Sequence, residues 1–178
     1  PSAIEVLERA RKSGFDTNNI KEMLADLYLK NGNPEKAIEI TSDELTKVKC
    51  LLDMNKKGEA IEKLEKMEEQ YGHIAQFHSL KAQYYYMTRD LTKALECVNK
   101  FDELEKNSPL TYQMRALIYE EKNDDYNAHI NWGKYNIVRG NKDIAINEYL
   151  NAYQIKNDDL ELLNTLAVLL EESGDKNH

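Results

Sequence analysis

The chain has 178 residues, 41% of them apolar, with only seven glycines and three prolines; this suits a sizeable core and leaves little room for long loops. Its 24 basic and 32 acidic residues give a net charge of −8, which repels phosphate backbones, and no segment gathers enough Lys and Arg to override it, so nucleic acid is not expected as a partner. No apolar run approaches the ~20 residues of a membrane span and the first residues show no signal-peptide pattern, so no membrane insertion is expected.

Apolar spacing predicts eleven helices, over residues 2–13, 19–31, 34–41, 43–54, 57–70, 74–88, 91–106, 109–122, 124–139, 141–156 and 159–173. Ala3 opens the first. The second runs into Asn-Gly-Asn-Pro, where Gly32 and Asn33 suit a turn with positive φ and Asn33-Pro34 reads as an N-cap with proline at the first helical position. Ala37 follows. Thr41-Ser42-Asp43-Glu44 resembles a capping box closed by Glu44. Further alanines stand early in later helices, at Ala60, Ala94, Ala128 and Ala145. The steps Ala3 to Ala37, Ala60 to Ala94 and Ala94 to Ala128 are each 34 residues, whereas Ala37 to Ala60 is 23, which predicts a shortened unit.

A second break lies between Ala128 and Ala145, only 17 residues apart. Residues 123–135 read as a second helix following 109–122, with Ala128, Trp132 and Tyr135 inside. Residues 129–141 read equally well as a first helix leading into Gly140, Asn141 and Ala145. Either one helix serves both roles and the alternation slips, or the segment is a long loop or ordinary divergence.

The residues around these alanines resemble the tetratricopeptide (TPR) repeat, whose period is 34 residues. Its first helix carries a large apolar residue, a small one and an aromatic before a turn with Gly, Asp or Asn. Leu24, Ala25, Tyr28, Gly32, Asn33 and Ala37 fill those places in one unit; Ala82, Tyr85, Asp90 and Ala94 in another; Ala116, Tyr119, Asp124 and Ala128 in a third. Leu166, Ala167, Leu170, Gly174 and Asp175 open a last one. The resemblance covers nearly the whole chain. It implies an all-α fold, a right-handed α-α superhelix or solenoid of helix–turn–helix repeats, in one domain over residues 1–178. Small residues at the helix crossings fit that architecture, because only a small side chain lets two axes approach closely.

The resemblance also implies where a partner binds. In TPR arrays the first helix of each unit lines a concave groove, and transferring that geometry gives Glu22, Asp26, Lys30, Gln76, Gln83, Tyr86, Gln113, Leu117, Glu120, Asn131, Lys134, Asn164 and Val168 as groove residues. Amides there can donate to and accept from a peptide backbone, and Tyr adds apolar area with a polar tip. TPR co-chaperones that clamp the carboxylate tails of heat-shock chaperones use Lys, Asn and Arg. Here Glu22, Asp26, Ser79 and Gln83 stand at the corresponding places, and the acids would repel a carboxylate.

Catalytic chemistry has no sequence signal. Cys50 and Cys97 lack C-x-x-C spacing and read as small hydrophobes in a reducing, cytoplasmic setting. His73, His78, His129 and His178 form no i, i+4 pair, so no metal and no cofactor is expected. The expected function is a non-catalytic scaffold or adaptor that binds a peptide or helix of a partner protein; the alternatives are the regulatory or targeting region of a larger enzyme or chaperone, and a self-assembling structural array. The phase of the repeats at Ala3 and after Gly174 predicts a fragment of a longer array, with Ile4, Leu7, Leu163, Leu166 and Leu170 partly exposed and weak end-to-end association.

Overall fold

A computed structural model describes residues 2–174. Among the described residues there are eleven helices and no strand: α1 (Ala3–Lys12), α2 (Asn18–Lys30), α3 (Pro34–Ile40), α4 (Glu44–Asp53), α5 (Lys57–Tyr71), α6 (Ala75–Met87), α7 (Leu91–Leu104), α8 (Pro109–Glu121), α9 (Asp125–Val138), α10 (Lys142–Ile155) and α11 (Leu160–Gly174). All eleven match the predicted segments to within two residues. Asp175 and His178 lie outside the described residues. The chain falls into two compact units, Pro1–Tyr84 and Tyr85–His178, whose boundary lies within α6.

One turn is used five times. Between α2 and α3, α4 and α5, α6 and α7, α8 and α9, and α9 and α10, a single residue takes φ between 55° and 77°: Gly32, Asn55, Arg89, Asn123 and Gly140. The next residue sends its N–H back five positions, Asn33 to Tyr28, Lys56 to Leu51, Asp90 to Tyr85, Asp124 to Tyr119 and Asn141 to Asn136, at 2.8–2.9 Å. This is the Schellman closure, which satisfies carbonyls left over at a helix end and reverses the chain in two or three residues. Four residues later comes a marker alanine, whose N–H bonds to the carbonyl of the N-cap: Ala37, Ala60, Ala94, Ala128 and Ala145. All five are buried, whereas Ala3 is exposed.

In the first unit the core includes Leu24, Ala25, Tyr28, Ala37 and Cys50, with Ile4, Leu7 and Ile38 against them. The short step from Ala37 to Ala60 is realised as two abbreviated helices, of 7 residues in α3 and 10 in α4. The capping box expected at Thr41 does not form. Thr41 is still the extended C-cap of α3, Asp43 caps α4 by accepting from the Thr46 N–H at 2.6 Å, and Glu44 turns to Lys47 and Lys63. A capping box occurs at Ser2 and Glu5 of α1 instead.

In the second unit α9 is one continuous helix with a Schellman turn at both ends, and it packs about as extensively on α8 as on α10. It is the second helix of one pair and the first helix of the next; the loop alternative does not hold. Serving both pairs requires close approach on two faces. Ala128 is buried, and Gly133 lies so near α10 that a Cβ there would stand 2.5 Å from the Tyr149 ring. Burial also reaches two polar side chains, Asn131 and Asn136, which donate to the carbonyls of Asn127 and Trp132 four residues back at 2.8 and 2.9 Å. Trp132 and Tyr135, expected inside, are half-buried and meet edge-to-face at 5.4 Å. Beyond α9, a core of Ala145, Ile146, Tyr149, Ala152, Leu162, Leu166 and Leu169 joins α10 to α11. Leu166 is therefore buried rather than partly exposed, while Ala167 and Leu170 face outward.

Three substitutions check this account by urea denaturation. Gly133→Ala should lower stability by about 1–3 kcal/mol, because the added methyl overlaps a ring that cannot shift freely. Gly58→Ala, in α5 with nothing within 4 Å of a new Cβ, should instead raise it by up to about 1 kcal/mol. Arg89, at φ 65°, is the only one of the five turn residues that is neither Gly nor Asn; Arg89→Asn should raise stability by about 0.5–1 kcal/mol by relieving left-handed strain.

Candidate functional site

The first helices α2 and α6 in one unit, and the end of α6, α8, α9 and α11 in the other, carry the predicted groove residues. In the first unit Glu22 is committed internally. Its carboxylate accepts from the Thr41 hydroxyl, the Ser42 N–H at 2.8 Å and the Ser42 hydroxyl at 2.9 Å, so it braces the α3–α4 turn. Partial burial raises its pKa, but these hydrogen bonds outweigh burial and hold it below the ordinary value. Asp26 and Lys30 pair with each other on the exposed surface at 2.6 Å. Gln76 is exposed. Gln83 reaches α4, accepting from Lys49 and donating to Asp53, both at 3.5 Å, across the Lys49–Asp53 ion pair.

Lys49 and Asp53 were not among the predicted residues, because the shortened unit hides the register of α4. The signal was present: Lys49 precedes Gln83 by one full 34-residue step.

In the second unit the Tyr86 hydroxyl donates to Glu121 at 3.4 Å, and Arg89 pairs with the same carboxylate. Gln113 and Leu117 are half-exposed on α8. Glu120 accepts from the Trp132 indole N–H at 2.7 Å. Asn131 is buried and spends its amide on Asn127, so it presents almost no surface to a ligand. Lys134 lies 3.9 Å from Glu161 of α11, and Asn164 and Val168 are exposed on α11. Glu121, missed from the sequence, is the acceptor that ties α6 to α8 within this unit.

Cys50 is fully buried, and burial pushes its thiol up to about 11, far from a reactive thiolate at neutral pH. His78 is buried with Nε2 on the Gly72 carbonyl at 2.8 Å, and His129 Nδ1 meets Glu148 at 2.7 Å. Among the described residues no three His, Cys, Asp or Glu side chains converge as a metal site. A shallow cleft of about 290 Å³ between Glu8, Arg11, Lys12 and Asp16 lies off the stripe.

The crystal structure of TTC0263, a thermophilic TPR protein of Thermus thermophilus, superposes on this chain with a TM-score of 0.56, covering 86% of this chain and 99% of that one at 13% sequence identity. The chain has an all-α, TPR-like helical-repeat fold. No protein-family model matches the sequence, and no curated protein matches it. No helix among the described residues is long and apolar enough to cross a membrane.

The Glu22 brace makes stability pH-dependent. Its folded pKa is lowered from 4.5, so its contribution is present above that value and is lost as pH falls through the folded pKa. Glu22→Gln should lower stability at pH 7 and flatten the dependence below about pH 4.5, read from urea midpoints between pH 3 and 7.

Proposed function

We propose that this chain is a non-catalytic, cytoplasmic scaffold or adaptor that binds a peptide or helix of a partner protein along the groove face of its first helices. The observation that carries the reading is the way polar side chains bridge first helices about one repeat apart. Gln83 meets Lys49 and Asp53, and Tyr86 and Arg89 meet Glu121. Such bridges align donors and acceptors from successive helices into a surface matched to an extended or helical backbone. The carboxylate-clamp mode is disfavoured, since Glu22 is already committed to the α3–α4 turn and Asp26 is balanced only by its own Lys30.

The test is affinity capture on the immobilised chain, followed by titration of the captured partner against variants. Gln83→Ala combined with Tyr86→Ala should weaken binding by up to about 30-fold, equivalent to about 2 kcal/mol, if Tyr86 is an anchor. The melting temperature should change little. Trp132, the single tryptophan, reports on Glu120 through its indole hydrogen bond, so its emission should shift on binding. Unchanged affinity, with the partner's footprint on the second helices, would overturn the assignment.

A further inference from the structure

Trp132, Tyr135 and the C-cap Arg139 follow one another along α9 at intervals of three and four residues, so all three lie on one face of the helix. The two rings are half-buried and meet edge-to-face, with centroids 5.4 Å apart and planes at 85°. Rings so arranged present two π-faces at a right angle, each negative at its centre. Tyr135 already carries a cation: the Arg139 guanidinium carbon lies over its ring, 5.4 Å from the centroid. From α8, Glu120 adds a full negative charge. It is exposed and accepts from the Trp132 indole N–H at 2.7 Å. The cluster also stands over the last turns of α9, where the helix end contributes partial negative charge of its own. All four residues belong to the second compact unit.

Rings, carboxylate and helix end all attract a cation, and the cation present is loosely held. Lys81 and Lys93, which lie over Phe77 and Tyr85, are also ion-paired with Glu68 and Asp90. Arg139 is exposed and has no such ion pair among the described residues, so the ring contact alone keeps its guanidinium in place. We propose that Glu120, Trp132 and Tyr135 form a binding site for an arginine side chain of a partner segment, and that Arg139 is a resident placeholder displaced when that arginine arrives. A guanidinium suits the site better than an ammonium. Its plane stacks on an aromatic face while its fork of N–H donors reaches a carboxylate at the edge, and the group now on Tyr135 is itself a guanidinium. The source of the arginine rests on the groove reading, through Glu120; the recognition chemistry does not.

Titration of the chain with Nα-acetyl-arginine amide at constant ionic strength, read from the emission of Trp132, the single tryptophan, tests this without any partner. The emission should shift with half-saturation on the order of 10 mM, the range of one small contact. Nα-acetyl-citrulline amide, of nearly the same shape but neutral, should need at least about tenfold more, because neither the rings nor Glu120 attracts it by charge. Arg139→Ala should tighten binding about two- to fivefold by removing the competitor, and Glu120→Gln should weaken it at least about fivefold. Both positions are exposed, so the helical circular dichroism should not change. Tyr135→Leu should abolish the response. An equal response to the citrulline compound, an affinity that Arg139→Ala leaves unchanged, or no response in any variant would overturn the proposal. A captured partner whose footprint lies on the second helices would overturn the groove reading and leave this titration as it stands.

Discussion

The backbone hydrogen bond that closes each tight turn is the constraint on which the rest depends. When the N–H of Asn33, Lys56, Asp90, Asp124 or Asn141 reaches back five residues, the first helix ends at a defined residue and the second starts at a defined angle. The crossing point then falls at a fixed distance along both helices, four residues past the N-cap, and a side chain larger than alanine would force the axes apart. The alanine period is thus a consequence of turn geometry. The turn residue itself varies, as Gly, Asn and Arg all occupy it, which is why the period is clearer in the alanines than in the turns.

Helix α9 shows what happens when the same constraint is applied twice to one helix. A helix with one packed face can keep its polar residues in water, whereas one packed on both sides cannot. Asn131 and Asn136 are the outcome: both are buried, and both are satisfied by carbonyls of their own helix, so burial leaves no donor orphaned. Size is partitioned in the same way. Gly133 accommodates Tyr149 on one side, while on the other Trp132 keeps its indole N–H at the surface on Glu120.

The helices and the crossing residues were legible in the sequence because each depends on local spacing. What was not legible depends on neighbours. Glu22 has the position of a groove residue, yet Thr41 and Ser42, about 20 residues away, claim its carboxylate. Asn131 has the register of a groove residue only if α9 is solely a first helix, and it is not. Thr41 to Glu44 has the pattern of a capping box, but Thr41 is taken up as the C-cap of α3 and the N-cap of α4 falls two residues later, at Asp43, which accepts from the Thr46 N–H. The box at Ser2 and Glu5 follows the same pattern and could have been read from Ser-Ala-Ile-Glu.

The double role of α9 also has an electrostatic consequence. Helices joined by tight turns alternate in direction, so α8 and α10 run one way and α9 and α11 the other. Before α9 the role of first helix falls to α8; after it, to α9 and α11, whose amino termini lie at the opposite edge of the unit. Each helix carries about half a positive charge at its amino end and half a negative charge at its carboxyl end. Along the first helices of this unit, the polarity of the helix dipoles therefore reverses between α8 and α9, setting the positive end of one helix beside the negative end of the next.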